Sequence, residues 1–132
     1  MEFAALTAWV LAATVGGYLL VVWMANGGRS TKVTRFPILV LVGHPTVALA
    51  GLAVWIAYLF TGAAWCAWSA FAALLVVAFQ GFMLFTRWLV GRGGRHARGA
   101  EQAFPAAAVA AHGAVAAVTV VLVFLTVIVH AR

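Results

Sequence analysis

Residues 36–62 read FPILVLVGHPTVALAGLAVWIAYLFTG, a run without a single acidic or basic side chain other than His44. A helix rises about 1.5 Å per residue and the hydrocarbon layer of a bilayer is about 30 Å thick, so roughly 20 apolar residues make one crossing. The run supplies a span over about 36–60. Pro37 suits its first turn, where a missing N–H is no loss. Thr61-Gly62 ends it, glycine being able to take the left-handed conformation that stops a helix. The sequence is apolar again from Ala63 to about Val90. Only a tight turn separates the two segments, which therefore form an antiparallel hairpin.

Working outward, Phe3–Ala25 and residues 104–130 give two more spans of the same kind. The expectation is an all-α membrane protein: one four-transmembrane-helix domain over residues 1–132, with spans at about 3–25, 36–60, 63–90 and 104–130. Composition agrees, since 67% of the residues are hydrophobic and 8% charged, against about 25% charged in soluble domains. Met1-Glu2-Phe3 has no basic region ahead of a short apolar stretch, so the first span does not read as a secretory signal.

The net charge of +6 has a topological origin. Seven of the eight basic residues lie in or beside two loops, Asn26–Arg35 and Gly91–Gln102. Both loops follow odd-numbered spans and so share a side, which the positive-inside rule makes the cytoplasm of a bacterial cell, with both termini outside. Trp9, Trp55, Tyr58, Trp65 and Trp68 are expected toward the outer interface, Trp23 and Trp88 toward the inner one. Anionic lipid headgroups are natural partners of such loops; nucleic acid is not. The single cysteine, Cys66, leaves no internal disulfide and reads as apolar filler.

The two halves repeat. Gly27-Gly28-Arg29, Phe36-Pro37 and His44 are matched by Gly93-Gly94-Arg95, Phe104-Pro105 and His112, with each histidine eight residues after its phenylalanine. Two hairpins of equal orientation predict a pseudo-two-fold axis along the membrane normal, a parallel repeat.

His44 and His112 are the only ionisable residues well inside a span, and such residues mark function by default. Glu2 and Glu101 fall at the start of the chain and in the second loop. Each histidine is seven residues past its proline, about 10–12 Å from the cytoplasmic boundary, so the two share one level. At that level the first and third spans carry Gly16-Gly17 and Gly81, which would leave room for a porphyrin. His44 and His112 are thus candidate metal ligands and Gly16, Gly17 and Gly81 candidate cofactor-binding positions. Arg87, with Arg92, Arg29 and Arg35, is placed to meet propionates on the cytoplasmic side. Gln80 could orient a histidine, and Pro45 frees a carbonyl one turn earlier that could serve as an imidazole's partner.

Three readings of the pair stay open: haem b, a structural or proton-linked pair, and another metal or ligand. Tetrahedral zinc lacks its third and fourth ligands here. Haem needs only two, which favours it. No carboxylate lies inside a span, as small multidrug exporters and proton-coupled transporters require, and Ser69 is far from both histidines. Independent enzymatic chemistry is not expected.

The stretch Val42–Leu59 resembles that of small four-span membrane proteins of actinobacterial type, a resemblance that implies no activity. More loosely, two histidines at one level in a four-helix membrane bundle resemble the b-type cytochrome subunits that anchor respiratory enzymes. That likeness implies an electron-transfer or anchor subunit with one bis-histidine haem b, exchanging electrons with a quinone or a larger membrane complex. The alternative is a cofactor-free accessory subunit of a respiratory or transport complex, or a homo-oligomer.

Overall fold

A computed structural model of the chain describes residues 1–30, 34–93 and 99–130. Lys32, Gly94, Arg95, His96, Arg98 and Arg132 lie outside the described residues, so part of the loop charge and one repeat element are not placed. The described chain is helical: α1 Glu2–Ala25, α2 Ile38–Thr61, α3 Ala64–Gly91 and α4 Ala106–His130, with a 3₁₀ turn at Ala100–Ala103 before α4. All four helices are long and apolar enough to cross a membrane. Many of their large apolar side chains point outward, among them Leu39, Phe60, Phe79 and Phe82. That surface suits a lipid solvent, where an intrahelical ladder satisfies every backbone group.

The helix ends follow local chemistry. Gly62 stops α2 at φ 66°, its N–H bonding the Tyr58 carbonyl at 2.8 Å. Gly27 turns the chain out of α1 at φ 83°, and the N–H of Gly28 closes back on the Trp23 carbonyl at 2.9 Å. Pro37 and Pro105 sit one residue before their helices rather than in the first turn. Their carbonyls accept from Val40 and Leu41, and from Ala108 and Val109.

The helices form a ring in which α2 packs on α3 and α1 on α4, while α1–α2 and α3–α4 contacts close the circle. Helices α2 and α4 therefore face each other across a diagonal. Two apolar clusters fill the ends of the bundle. Near the chain termini, Trp9, Trp55, Tyr58, Leu74, Val123 and Val127 interdigitate with Ala5, Ala67 and Ala70. Near the basic loops, Trp23, Phe36, Leu41, Trp88 and Ala100 form the second.

Most of the aromatic side chains expected near the two interfaces also pack inward. Trp65 and Trp68 are exposed, but Trp9, Trp55, Tyr58, Trp23 and Trp88 are all buried. Small residues explain the difference: the Trp9 indole lies over Gly51, where an added Cβ would come within 3.1 Å of the ring. Large rings against alanine and glycine let helix backbones approach closely, which is how helices associate in lipid.

Glu101, expected in an open loop, is wholly buried. Its carboxylate accepts the Arg35 backbone N–H at 3.0 Å and the Thr34 hydroxyl at 3.2 Å. The residues just before α2 are thereby tied to those just before α4. Gln102 continues the tie by donating to the Gly91 carbonyl at 3.2 Å. Removing the acceptor leaves two part-buried donors without their protein partner, at about 1 kcal/mol. Glu101→Ala is therefore expected to lower the thermal unfolding midpoint in detergent clearly. Glu101→Gln, which keeps one carbonyl oxygen for the Arg35 N–H, should recover at least half of that loss.

Candidate functional site

The layer between the two apolar clusters holds His44 of α2 and His112 of α4. Their ring centres are 6.1 Å apart and their planes 74° from parallel. Each ring is held in the same way by the neighbouring helix. His44 Nδ1 is 3.1 Å from the Val77 carbonyl of α3, and a Cβ on Gly81 would fall 3.0 Å from its Cε1. His112 Nδ1 is 3.0 Å from the Ala12 carbonyl of α1, and a Cβ on Gly16 would fall 2.9 Å from its Cε1.

The common spacing has a physical cause. In a helix the carbonyl of residue i points toward residue i+4, and side chains lean back toward the N-terminus. A glycine at i+4 therefore uncovers the carbonyl of residue i, whose second lone pair can take a bond from outside the helix. Ala12 with Gly16, and Val77 with Gly81, are such pairs. Each offers an acceptor and a flat place for an imidazole in a single turn.

A carbonyl can only accept, so Nδ1 is the protonated nitrogen and donates to it. In a neutral ring Nε2 then keeps its lone pair. Metal-ligating histidines characteristically donate their other N–H in this manner, which fixes tautomer and ring orientation. A metal–nitrogen bond of about 2 Å and roughly 1.1 Å from nitrogen to ring centre, taken twice, give about 6 Å. The observed separation of the ring centres, 6.1 Å, is close to that sum. Among the described residues no three His, Cys, Asp or Glu side chains gather. The donor set of the layer is two imidazoles.

The remaining sequence candidates divide. Gly16 and Gly81 are in the layer, but the space they leave is taken by the imidazoles themselves. Gly17 is exposed with nothing within 4 Å of a Cβ position, so it takes no part in the layer. Arg87 lies toward the basic end, its Nη1 donating to the Arg35 carbonyl at 3.1 Å. Pro45 does not provide the partner of His44, which is Val77 on another helix. Gln80 makes no bond to either ring; its Nε2 lies over Gly43, and its Oε1 is buried without a donor among the described residues. The Ala12 and Val77 carbonyls are the functional groups that residue type alone does not reveal.

Fold and layer together define a four-helix protein of membrane-spanning character with a diagonal, backbone-anchored histidine pair. Comparison of the chain with protein-family models, with curated proteins and with solved structures yields no match.

Proposed function

We propose that this chain is a b-type cytochrome-like electron-transfer or anchor subunit, binding one haem b between α2 and α4 with His44 and His112 as axial ligands. The observation that carries the reading is the pair of imidazoles, each fixed through Nδ1 to a backbone carbonyl and separated by 6.1 Å across the bundle. Held by His44 and His112, haem would supply a one-electron couple.

The protein's part is to hold two neutral imidazoles at a fixed spacing in a low-dielectric layer. The carbonyls of Ala12 and Val77 fix the tautomer of the rings and stop them rotating. Gly16 and Gly81 keep α1 and α4, and α2 and α3, close enough for those bonds. Arg87 and Arg92, at the basic end of α3, would meet carboxylate groups on that side.

The topology completes the reading: a bacterial plasma-membrane protein with basic loops in the cytoplasm, built as two parallel-repeat hairpins. The matched contacts His44–Gly81 and His112–Gly16 support the pseudo-two-fold relation. Electrons would pass to a quinone or to a partner subunit of a larger membrane complex.

An absorption spectrum of detergent-purified protein, oxidised and then reduced with dithionite, tests this directly. Sharp α and β bands with a shifted Soret peak, at about one haem per chain, are the expected result. A featureless visible spectrum after expression with ample haem would remove the cytochrome and leave a cofactor-free accessory subunit.

A further inference from the structure

An open groove of about 450 Å³ lies on the surface of the bundle at its basic end, lined among the described residues by Thr34, Arg35, Thr86, Arg87 and Val90. It joins two segments far apart in the chain, the residues just before α2 and the last turns of α3. The volume is in the range of small-ligand sites. Its lining is polar, unlike the apolar helix faces around it.

The two arginines are held in place. Arg87 donates through Nη1 to the Arg35 carbonyl at 3.1 Å, so one guanidinium is tied to the backbone of the residue that carries the other. The Arg35 side chain runs over Gly91, where a Cβ would fall 2.9 Å from its Cδ and 3.3 Å from its Nε. Arg87 and Gly91 are four residues apart and share a face of α3. Both side chains therefore lie along one strip of one helix. The threonines are committed elsewhere: Thr34 donates to Glu101 at 3.2 Å and Thr86 to the Met83 carbonyl at 3.0 Å. Recognition in the groove falls to the guanidinium groups.

A counter-charge has to come from outside the chain. The sequence holds two carboxylate side chains, Glu2 and Glu101. Glu2 is at the opposite end of the bundle, accepting from the Tyr58 hydroxyl at 2.9 Å. Glu101 is wholly buried and accepts the Arg35 backbone N–H and the Thr34 hydroxyl. Two like charges sharing a groove beside a low-dielectric layer repel each other, and an anion between them relieves this. The groove also leads into lipid. One and two turns deeper on the same face of α3, Phe82 and Phe79 are 66% and 67% exposed.

We propose that this groove binds one anionic glycerophospholipid, its phosphodiester oxygens held by Arg35 and Arg87 and its acyl chains lying along Phe82 and Phe79. Guanidinium forks match phosphate oxygens bidentately. Basic loops attract anionic lipid in general; here one lipid is assigned to one edge of the bundle. The site uses no group of the histidine layer, so its occupancy does not rest on the haem reading.

Native mass spectrometry of the delipidated full chain in detergent, titrated with phosphatidylglycerol or phosphatidylcholine, tests the site. One phosphatidylglycerol per chain should bind, and more tightly than the zwitterionic lipid. Arg35→Gln and Arg87→Gln should each weaken that binding about tenfold. Arg29→Gln, which removes an exposed cation outside the groove, should change it less than about twofold. Val90 is 78% exposed, so Val90→Glu sets a carboxylate in the groove without disturbing the core. That variant should lose the lipid and melt at a higher temperature than the lipid-free wild type. Equal loss in Arg29→Gln would reduce the effect to general loop charge. Displacement by equimolar inorganic phosphate would assign the groove to a small anion, and loss of lipid on loading with haem would hand Arg87 to the propionates. Each of these, or undiminished binding in Val90→Glu, overturns the proposal. Lipid bound to a protein without a haem spectrum keeps the groove and removes the cytochrome, and a haem spectrum without bound lipid does the reverse.

Discussion

Replacing His44 or His112 with alanine is expected to abolish the low-spin haem spectrum and reduce bound haem at least tenfold, with helical content by circular dichroism unchanged. The expectation follows from the donor set. Two imidazoles face each other across the diagonal of the bundle, and the described residues around them offer no third His, Cys, Asp or Glu to take over. Losing one would leave a bound haem with a single protein ligand. Folding should survive, because each histidine lies between the two apolar clusters and belongs to neither. The substitution also frees the Val77 or Ala12 carbonyl, which keeps its own intrahelical donor and so is not orphaned. Any haem retained by the single variants should be high-spin, and His44→Ala/His112→Ala should retain none. A single variant with a full complement of low-spin haem would refute the ligand assignment.

How much of this could be read in advance depends on how rare the informative residue is. The helices were legible because charge is so scarce: each basic loop interrupts an apolar run, and Gly62 stops α2 as its position suggests. The histidine layer was legible for the same reason, two ionisable residues standing alone in their spans. What the glycines do was not. Gly16 and Gly81 mark the right level, but they accommodate imidazole rings and expose carbonyls, a role visible only once helix neighbours are known. The i to i+4 relation with Ala12 and Val77 was present in the chain, yet nothing local says which helix will face it.

The inward packing of the aromatic residues was not legible for a related reason. In a bilayer, tryptophan lowers its free energy both at the interface and packed against small residues on a neighbouring helix. Only tertiary contacts decide between the two, as Gly51 does for Trp9. Glu101 was the least legible. A carboxylate in a glycine-rich basic stretch reads as solvated, whereas its burial depends on backbone N–H and hydroxyl donors from a segment more than sixty residues away.

Glycine substitutions separate the two possible roles of the layer and should have effects nearly as large as loss of a histidine. Gly81→Leu and Gly16→Leu drive a side chain into the space where the His44 and His112 rings lie, since even a Cβ would come within 3.0 and 2.9 Å of them. Backbone cannot retreat cheaply, because the same turn holds α2 to α3 or α1 to α4. The imidazole must therefore swing off its carbonyl, and overpacking of this kind costs about 1–3 kcal/mol. Both variants should lose most of their haem and melt at lower temperature. Gly17→Leu is the internal control: the next residue along α1 is exposed, with nothing near its Cβ position, and it should keep the full spectrum. If the histidines served only to join helices, the first two variants would destabilise a colourless protein, and adding haem would not raise the melting temperature of the wild type. If they bind haem, added haem should raise the wild-type melting temperature through linkage and leave that of Gly81→Leu unmoved. Equal haem content in Gly81→Leu, Gly16→Leu and Gly17→Leu would show that the rings are not held where the carbonyls place them.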